Sequence, residues 1–247
     1  TYLHTLVDFL PGMEKKEVFD LLKSPDFVKR LDPLKDVPLH KTLNHLFSAL
    51  CGEDEEVKWH AVTAMGILVA PLAGTDSEGA RNILRRMLWS LNEESGGIGW
   101  GIPEALGEIL ARDENLAREF APLLVSYIQP GGNFLEFEPL QRGALWAVGR
   151  VARTFPGLLQ SLEAGDSLLP FLESKDSGVR GLAAWSLGPL GDGKSLPKLA
   201  HLRRDEEAIQ LYLDGRLSFF RICNLAEEAI EGIRKRLNFR KSPQGDA

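Results

Sequence analysis

Apolar residues recur at helical spacing along most of the chain, and polar residues fill the positions between them. In the segment 38–50, leucine or phenylalanine occupies positions 39, 43, 46, 47 and 50, which form one face of an α-helix. The same spacing predicts further helices, separated by short turns rich in Gly, Pro, Asp and Ser. Together the predicted helices cover residues 14–23, 25–31, 38–50, 55–69, 77–91, 103–110, 115–128, 139–153, 166–173, 177–190 and 194–203.

Four glycines stand at equivalent places in four of these segments. They are Gly66, Gly107, Gly149 and Gly188, and their spacings are 41, 42 and 39 residues. A period near forty indicates a stacked helical repeat, in which no helix pair buries its apolar face alone. Because the glycine recurs at one position of the repeat, we expect it to serve packing, where the missing Cβ lets a neighbouring helix approach closely.

The C-terminal part of the chain departs from this period. Apolar and polar residues alternate through 209–222, and Asp214-Gly215 interrupts them, which predicts a β-hairpin. Asn224 and Glu227 have the spacing of a capping box, so a last helix is predicted over 225–237. The hairpin and this helix are predicted to close the open end of the stack, in place of a partner for the helix at 194–203. The tail from Phe239 is predicted to be disordered.

The segments 57–68 and 179–191 resemble the HEAT repeats of the phycobilisome-lyase type. The residues that carry the resemblance in the second segment are Val179, Arg180, Ala183, Ala184, Leu187, Gly188 and Gly191. The resemblance covers roughly 38–204 and implies an all-α, right-handed α-α superhelix, a HEAT-like solenoid of armadillo-like architecture. We expect one continuous domain, made of an N-terminal cap (1–37), the repeats (38–204), a hairpin–helix C-terminal cap (205–238) and the tail (239–247).

In that family the second helix of each repeat lines the concave side, and the variable positions of the consensus point into a groove. Four of the five tryptophans fall on such positions, one in each repeat. Tryptophan is enriched at binding hot spots, so we expect these rings to be partly exposed. The alternative is that they stack on one another or cover a shallow core. The predicted groove residues are Trp59, His60, Thr63, Trp100, Glu104, Glu108, Arg142, Trp146, Arg150, Leu182 and Trp185.

Composition and charge narrow the function classes. The net charge of −6 argues against a general nucleic-acid binder, which needs a cationic track. Cys51 and Cys223 fit no metal-ligand spacing and are expected to be reduced, which suits a cytoplasmic protein. No apolar run approaches the ~18 residues of a membrane span, and the first residues lack the features of a signal peptide. No metal or cofactor is predicted.

A few residues carry weaker chemical signals that ordinary structural roles also explain. Glu104 and Glu108 lie four residues apart and could form an acid pair, but the sequence favours a solvated acidic patch, paired with Arg142 and Arg150 on the next repeat. His60 could act as a general base, and the glycine-rich segment 96–103 could hold an anion at a helix N-terminus. None of these signals predicts a catalytic residue.

The sequence therefore predicts a binding module more readily than an enzyme. Its groove would hold a peptide, a protein segment or a small aromatic ligand, and Arg142 and Arg150 would orient an acidic group on that ligand. Two other classes stay open through the family resemblance. One is a bilin lyase or another enzyme that handles a prosthetic group, and the other is a HEAT-like DNA glycosylase.

Overall fold

A computed structural model describes residues 13–35, 39–91 and 99–241. The chain divides into two compact units, one ending at Leu116 and the other beginning at Ala117. The predicted N-terminal cap and the start of the 96–103 segment therefore lie partly outside the described residues. The expectation that the chain unfolds as one continuous domain stays a prediction.

The first unit is built from two successive helix pairs behind a short N-terminal helix. The first pair is α3–α4, the second is α6–α7, and the second helices of both pairs, α4 and α7, pack against each other. Asp54 begins α4 by accepting a hydrogen bond from the backbone N–H of Val57 at 3.1 Å. The helices are α1 (Lys15–Leu22), α2 (Asp32–Lys35), α3 (Leu39–Leu50), α4 (Glu55–Val69), α5 (Leu72–Thr75), α6 (Ser77–Leu91) and α7 (Ile102–Leu110), with a 3₁₀ turn at Phe27–Arg30.

The second unit continues the pattern with α8, which crosses the boundary between the units. Its second helices pack in succession, with α12 lying between α9 and α14. The elements are α8 (Glu114–Ser126), α9 (Glu138–Thr154), α10 (Pro156–Ser161), α11 (Ala164–Leu168), α12 (Ser177–Leu190), α13 (Ser195–His201), β1 (Ala208–Leu213), β2 (Arg216–Arg221) and α14 (Ile222–Lys241), with 3₁₀ turns at Leu169–Glu173 and Leu202–Arg204. The prediction of a mostly helical repeat protein with one small hairpin is confirmed.

The predicted hairpin is present, but its place in the fold differs from the prediction. Strands β1 and β2 pair antiparallel, and the turn residues Asp214 and Gly215 have φ values of 48° and 79°, which Gly and Asp tolerate best. The last helix, α14, packs on both α12 and α13. The partner of α13 is therefore not missing, because α14 supplies it and the hairpin is an insertion between the two helices of this pair.

The start and end of α14 correct two further predictions. The helix begins at Ile222, so Asn224 lies inside it and cannot cap it. Glu227 instead forms an ion pair with Arg203. The helix continues to Lys241, so residues 239–241 are helical rather than disordered, and 242–247 lie outside the described residues.

One stretch among the described residues, Glu55–Thr75, is long and apolar enough by composition to cross a membrane. Lys58, His60 and Thr63 interrupt this stretch, so the sequence shows no continuous apolar run of membrane-spanning length there. In the structure 67% of its most apolar window is buried within the protein, which is the burial of a core helix.

The packing role of the repeated glycine is confirmed at two positions and absent at a third. A Cβ on Gly66 would come within 2.7 Å of Glu108 Cγ on α7, and one on Gly149 would collide with Trp185 and Ser186 on α12. A Cβ on Gly188 would meet nothing nearer than 4.0 Å. The close approach that the glycine permits therefore belongs to the α4–α7 and α9–α12 contacts.

Alanine at these glycines should separate packing from helix propensity. We expect Gly149→Ala to lower the free energy of unfolding by about 1–3 kcal/mol, the range for overpacking a filled interface. Gly188→Ala has room for its methyl group and gains up to about 1 kcal/mol of helix propensity. Urea unfolding followed by circular dichroism measures both changes. Equal destabilisation by both variants would contradict this account of Gly149.

Candidate functional site

In the second unit, the two predicted groove tryptophans are covered. Trp146 on α9 is 3% exposed and Trp185 on α12 is 4% exposed, and their rings stack with centroids 6.4 Å apart. The indole N–H of Trp146 donates to the backbone carbonyl of Tyr212 on β1 at 3.0 Å. The inserted hairpin thus lies against the face that the sequence analysis left for a ligand.

The Trp185 ring also has an arginine over it. The Arg153 guanidinium lies 3.5 Å from the Trp185 ring centroid and donates to the backbone carbonyls of Gly149 and Trp185 at 2.8 and 3.0 Å. Loss of hydration there, with the nearby Arg150 charge, lowers the pKa of Arg153 to about 10, although the residue as a whole is exposed. Arg153 is therefore still a cation at neutral pH, and it packs as a cation–π partner.

The two arginines predicted to line the groove, Arg142 and Arg150, both contact groups of the protein itself. Arg142 is bidentate on Asp176, the residue that begins α12 by accepting from Val179 N–H at 2.8 Å. The Arg142 hydrogen bond is the main cause that lowers the pKa of Asp176. Arg150 donates to Thr154 at 3.2 Å. The predicted role of Arg142 in orienting an acidic ligand group therefore competes with a structural role.

The strand β1 has further contacts that the sequence analysis did not find. Arg180 on α12 donates from Nε to Asp205 at 2.9 Å and pairs with Glu207 at 3.3 Å, just before β1 begins. A Cβ on Gly181 would come within 2.7 Å of the Ile209 side chain. In the sequence, Arg180 matches the consensus of the HEAT repeat, but no local pattern indicates its partners. Leu182, in the same helix, is 6% exposed and belongs to the core.

In the first unit, His60 joins two elements of the core. Its ring stacks on Phe27 with centroids 3.8 Å apart, and its Nδ1 lies within hydrogen-bonding distance of the Leu22 carbonyl. The residue is 3% exposed. The structure thus places His60 between α4 and the N-terminal segment, a structural position rather than an open surface.

Two carboxylates of α7 lie at its contact with α4. Glu104 is 6% exposed, and its Oε1 lies 3.9 Å from Lys58 Nζ, which also bridges to Glu55 at 2.8 Å. Burial raises the pKa of Glu104 above its ordinary value, and Lys58 offsets this only in part. Glu108 instead forms a close ion pair with Arg112, at 2.6 Å. The predicted acid pair is therefore two separate carboxylates with different partners.

Two tryptophans are close in sequence to the Lys58–Glu104 pair. Trp59 directly follows Lys58 on α4, and Trp100 lies four residues before Glu104. Trp59 is 7% exposed, and Lys58 Nζ lies 5.2 Å from its ring centroid. Trp100, two residues before α7, is 38% exposed. The Gly101 that follows has φ 69°, and a Cβ there would come within 3.0 Å of Leu50. Thr63, also predicted to line the groove, is 7% exposed.

The expectation of exposed tryptophans is therefore confirmed for Trp100 and wrong for the other three. Trp59, Trp146 and Trp185 are buried because lysine, arginine and the inserted strand cover their rings. Within each unit, the structure brings Trp146 together with Trp185, and Lys58 together with Glu104. The ligand-binding role of the predicted residues stays a prediction.

Comparisons with known proteins agree with this architecture. A family model described as a HEAT-like repeat matches residues 138–190, which run from the start of α9 to the end of α12. An engineered protein of known structure has a TM-score of 0.53 at 15% identity, over 95% of this chain and 97% of that chain. A designed armadillo repeat protein, solved in complex with the peptide (KR)4, has a TM-score of 0.51 at 17% identity, over 90% and 100%.

The sequence comparison extends the likeness to a natural protein. An uncharacterized protein of Archaeoglobus fulgidus is 25% identical over 190 residues, which is 75% of this chain and 94% of that protein. At these identities the solved structures establish the fold alone. The chain has the fold of helical repeat proteins, and its residues 138–190 match a HEAT-like repeat.

Truncation should distinguish the packed tryptophans from the exposed one. We expect Trp146→Ala to lower the free energy of unfolding by about 3–5 kcal/mol, because it removes a buried ring and the partner of the Tyr212 carbonyl. Trp100→Ala should lower it by less, because Trp100 is 38% exposed and its truncation therefore removes less buried apolar surface. Chemical unfolding followed by far-UV circular dichroism measures both. If Trp146→Ala cost no more than Trp100→Ala, the covered position of Trp146 would be refuted.

The buried carboxyl of Glu104 should make stability depend on pH. A raised pKa in the folded state means that stability is greatest while the group is protonated, near or below its ordinary value of 4.5, and falls as the pH rises through the folded value. Glu104→Gln removes this loss, so the variant should gain stability over wild type progressively from about pH 4 upward. The exposed Glu56→Gln serves as the control. Parallel stability profiles for Glu104→Gln and wild type would contradict the effect of burial.

Proposed function

We propose that this protein is a binding module that recognises an extended segment of another protein. The observation that carries the proposal is the hydrogen bond from the Trp146 indole to the Tyr212 backbone carbonyl. It places an extended polypeptide against the second helices of a repeat unit, held through its main chain. This is how a sequence-tolerant peptide site works, with main-chain bonds for affinity and side-chain contacts for selectivity.

The contacts around β1 provide a template for such recognition. Trp146 binds a carbonyl, Arg180 binds the carboxylates of Asp205 and Glu207, and the space beside Gly181 accepts the Ile209 side chain. In the second unit these groups are used by the protein's own hairpin. A ligand from outside therefore needs another surface, and the first unit carries related residue types on its own second helices.

We place the external site at Trp100 and Lys58, where α7 and α4 begin. Trp100 is 38% exposed, and Lys58, which pairs with the exposed Glu55, lies 3.9 Å from the buried Glu104. A cationic side chain of the ligand would lie over the Trp100 ring, as Lys58 lies over Trp59 and Arg153 over Trp185. It would also add positive charge beside the Glu104 carboxylate, which Lys58 neutralises only in part.

Two further facts favour a basic ligand. The net charge of −6 attracts a cationic peptide at long range. The designed armadillo repeat protein that shares the fold was solved with the alternating peptide (KR)4. The ligand class that we propose is therefore an extended segment that carries Lys or Arg. The phycobilisome-lyase subtype, the bilin-handling and DNA-glycosylase functions and the cytoplasmic location stay predictions from the sequence.

Fluorescence anisotropy with labelled octapeptides tests the proposal. We expect an alternating Lys–Arg peptide to bind, an alternating Glu–Ser peptide not to bind, and affinity to fall as salt increases. Trp100→Ala should weaken binding by about thirtyfold, the equivalent of a hot spot worth about 2 kcal/mol.

Trp89→Ala is the matched control, because Trp89 is 69% exposed on α6 of the same unit and lies outside the proposed site. It should bind the basic peptide as wild type does. Equal binding of the acidic peptide, or an equal loss in both tryptophan variants, would refute the site at Trp100.

A further inference from the structure

The outer edge of strand β2 is an unoccupied hydrogen-bonding surface within the described part of the chain. There, β2 pairs with β1 alone. Phe219 stands in the middle of the strand and is 73% exposed. The strand sequence RLSFFR contains no Pro, Gly or Lys, which commonly protect edge strands from pairing with another chain.

The direction of the main-chain groups on β2 follows from the ladder. The N–H of Ile222 donates to the Glu207 carbonyl at 2.9 Å, so these two residues form a hydrogen-bonded pair. Such pairs alternate along an antiparallel ladder. The main-chain groups of Ser218 and Phe220 therefore point toward β1, and those of Phe219 point away from it.

The opposite strand agrees with this alternation. Tyr212 stands opposite Leu217 in the ladder, and the two form a non-hydrogen-bonded pair. Its carbonyl accordingly points away from β2, where Trp146 binds it. Leu217, like Phe219, thus presents its N–H and carbonyl along the free edge of β2.

We propose that β2 binds β2 of a second copy of this chain, antiparallel, across a two-fold axis at Phe219. In that register Phe219 faces the partner's Phe219, and Leu217 faces the partner's Arg221. Ser218 faces the partner's Phe220. The two hairpins then form one four-stranded sheet, with hydrogen bonds exchanged at the central phenylalanine pair and at the flanking pairs.

The side chains of β2 are self-complementary in this register. The central pair is aromatic on aromatic, which stabilises a cross-strand contact. The arginines of the strand, Arg216 and Arg221, stand at its two ends, so no arginine faces another. Arg221 also pairs with Glu206 of its own chain at 2.9 Å, which reduces repulsion between the copies. A strand from a different protein could bind the same main-chain groups, but it would not place a second Phe219 opposite Phe219.

Sedimentation velocity over roughly 1 µM to 1 mM tests for the dimer, since an interface of two short strands is expected to be weak. We expect the mass to rise with concentration from 27.4 kDa toward twice that value. Phe219→Pro removes the N–H at the two-fold axis but none of the β1–β2 hydrogen bonds, and it should weaken dimerisation at least tenfold. Phe239→Ala, at a phenylalanine 85% exposed on α14, is the control and should dimerise as wild type does.

A charge exchange at position 219 tests the register. Phe219→Arg and Phe219→Glu should each weaken dimerisation, because like charges would face each other. A mixture of the two variants should form heterodimers at least tenfold more tightly than either variant alone. The proposal is overturned if wild type stays monomeric over the whole range, if Phe219→Pro dimerises normally, or if the mixture shows no gain. None of these outcomes bears on peptide binding at Trp100.

Discussion

The close packing of the second helices is the constraint on which the rest of the second unit depends. Gly149 on α9 admits the ring of Trp185 from α12, and the Arg153 guanidinium lies over the same ring. A side chain at position 149 would push the two helices apart. Because Trp146 stacks on Trp185 and binds β1, the position of the hairpin is coupled to this one contact. A glycine in one helix thus fixes the surface on which a strand can lie.

The inserted hairpin changes what the repeat face can do. Trp146 and Arg180 have the chemistry of a peptide-binding surface, yet the chain itself supplies the strand, the carbonyl and the carboxylates that they bind. The hairpin therefore has a packed strand and an open strand. Strand β1 carries buried Ile209 and Leu211, and β2 carries the exposed Phe219. The same insertion that covers the tryptophans of α9 and α12 leaves the outer edge of β2 open.

Charge has a different distribution in the first unit. The Glu108 carboxylate forms an ion pair with Arg112, four residues later in the chain. Glu104 has Lys58 of the neighbouring helix α4 as its cationic partner, and its pKa stays raised. A buried carboxylate with incomplete compensation destabilises the free protein and favours any ligand that adds a nearby cation. This property, together with the partly exposed Trp100, distinguishes the first unit from the second, where Arg142 and Arg180 form close ion pairs with Asp176 and Asp205.

The sequence by itself determined the longer helices, their period and the hairpin, because these depend on local spacing: apolar residues at helical intervals, and Asp214-Gly215 between alternating strands. The short helices α2, α5 and α10 are too brief to show such a spacing and were not predicted. It also predicted the tight glycine contact at Gly149. Only the tertiary structure decided that α14 is the partner of α13, that β1 covers Trp146, and that Glu104 lies beside Lys58. These pairings join residues far apart in the chain, and a periodic pattern says which face a residue occupies but not what covers it. Gly188 shows the same limit, since its position in the repeat matches Gly149 while its surroundings leave room for a methyl group.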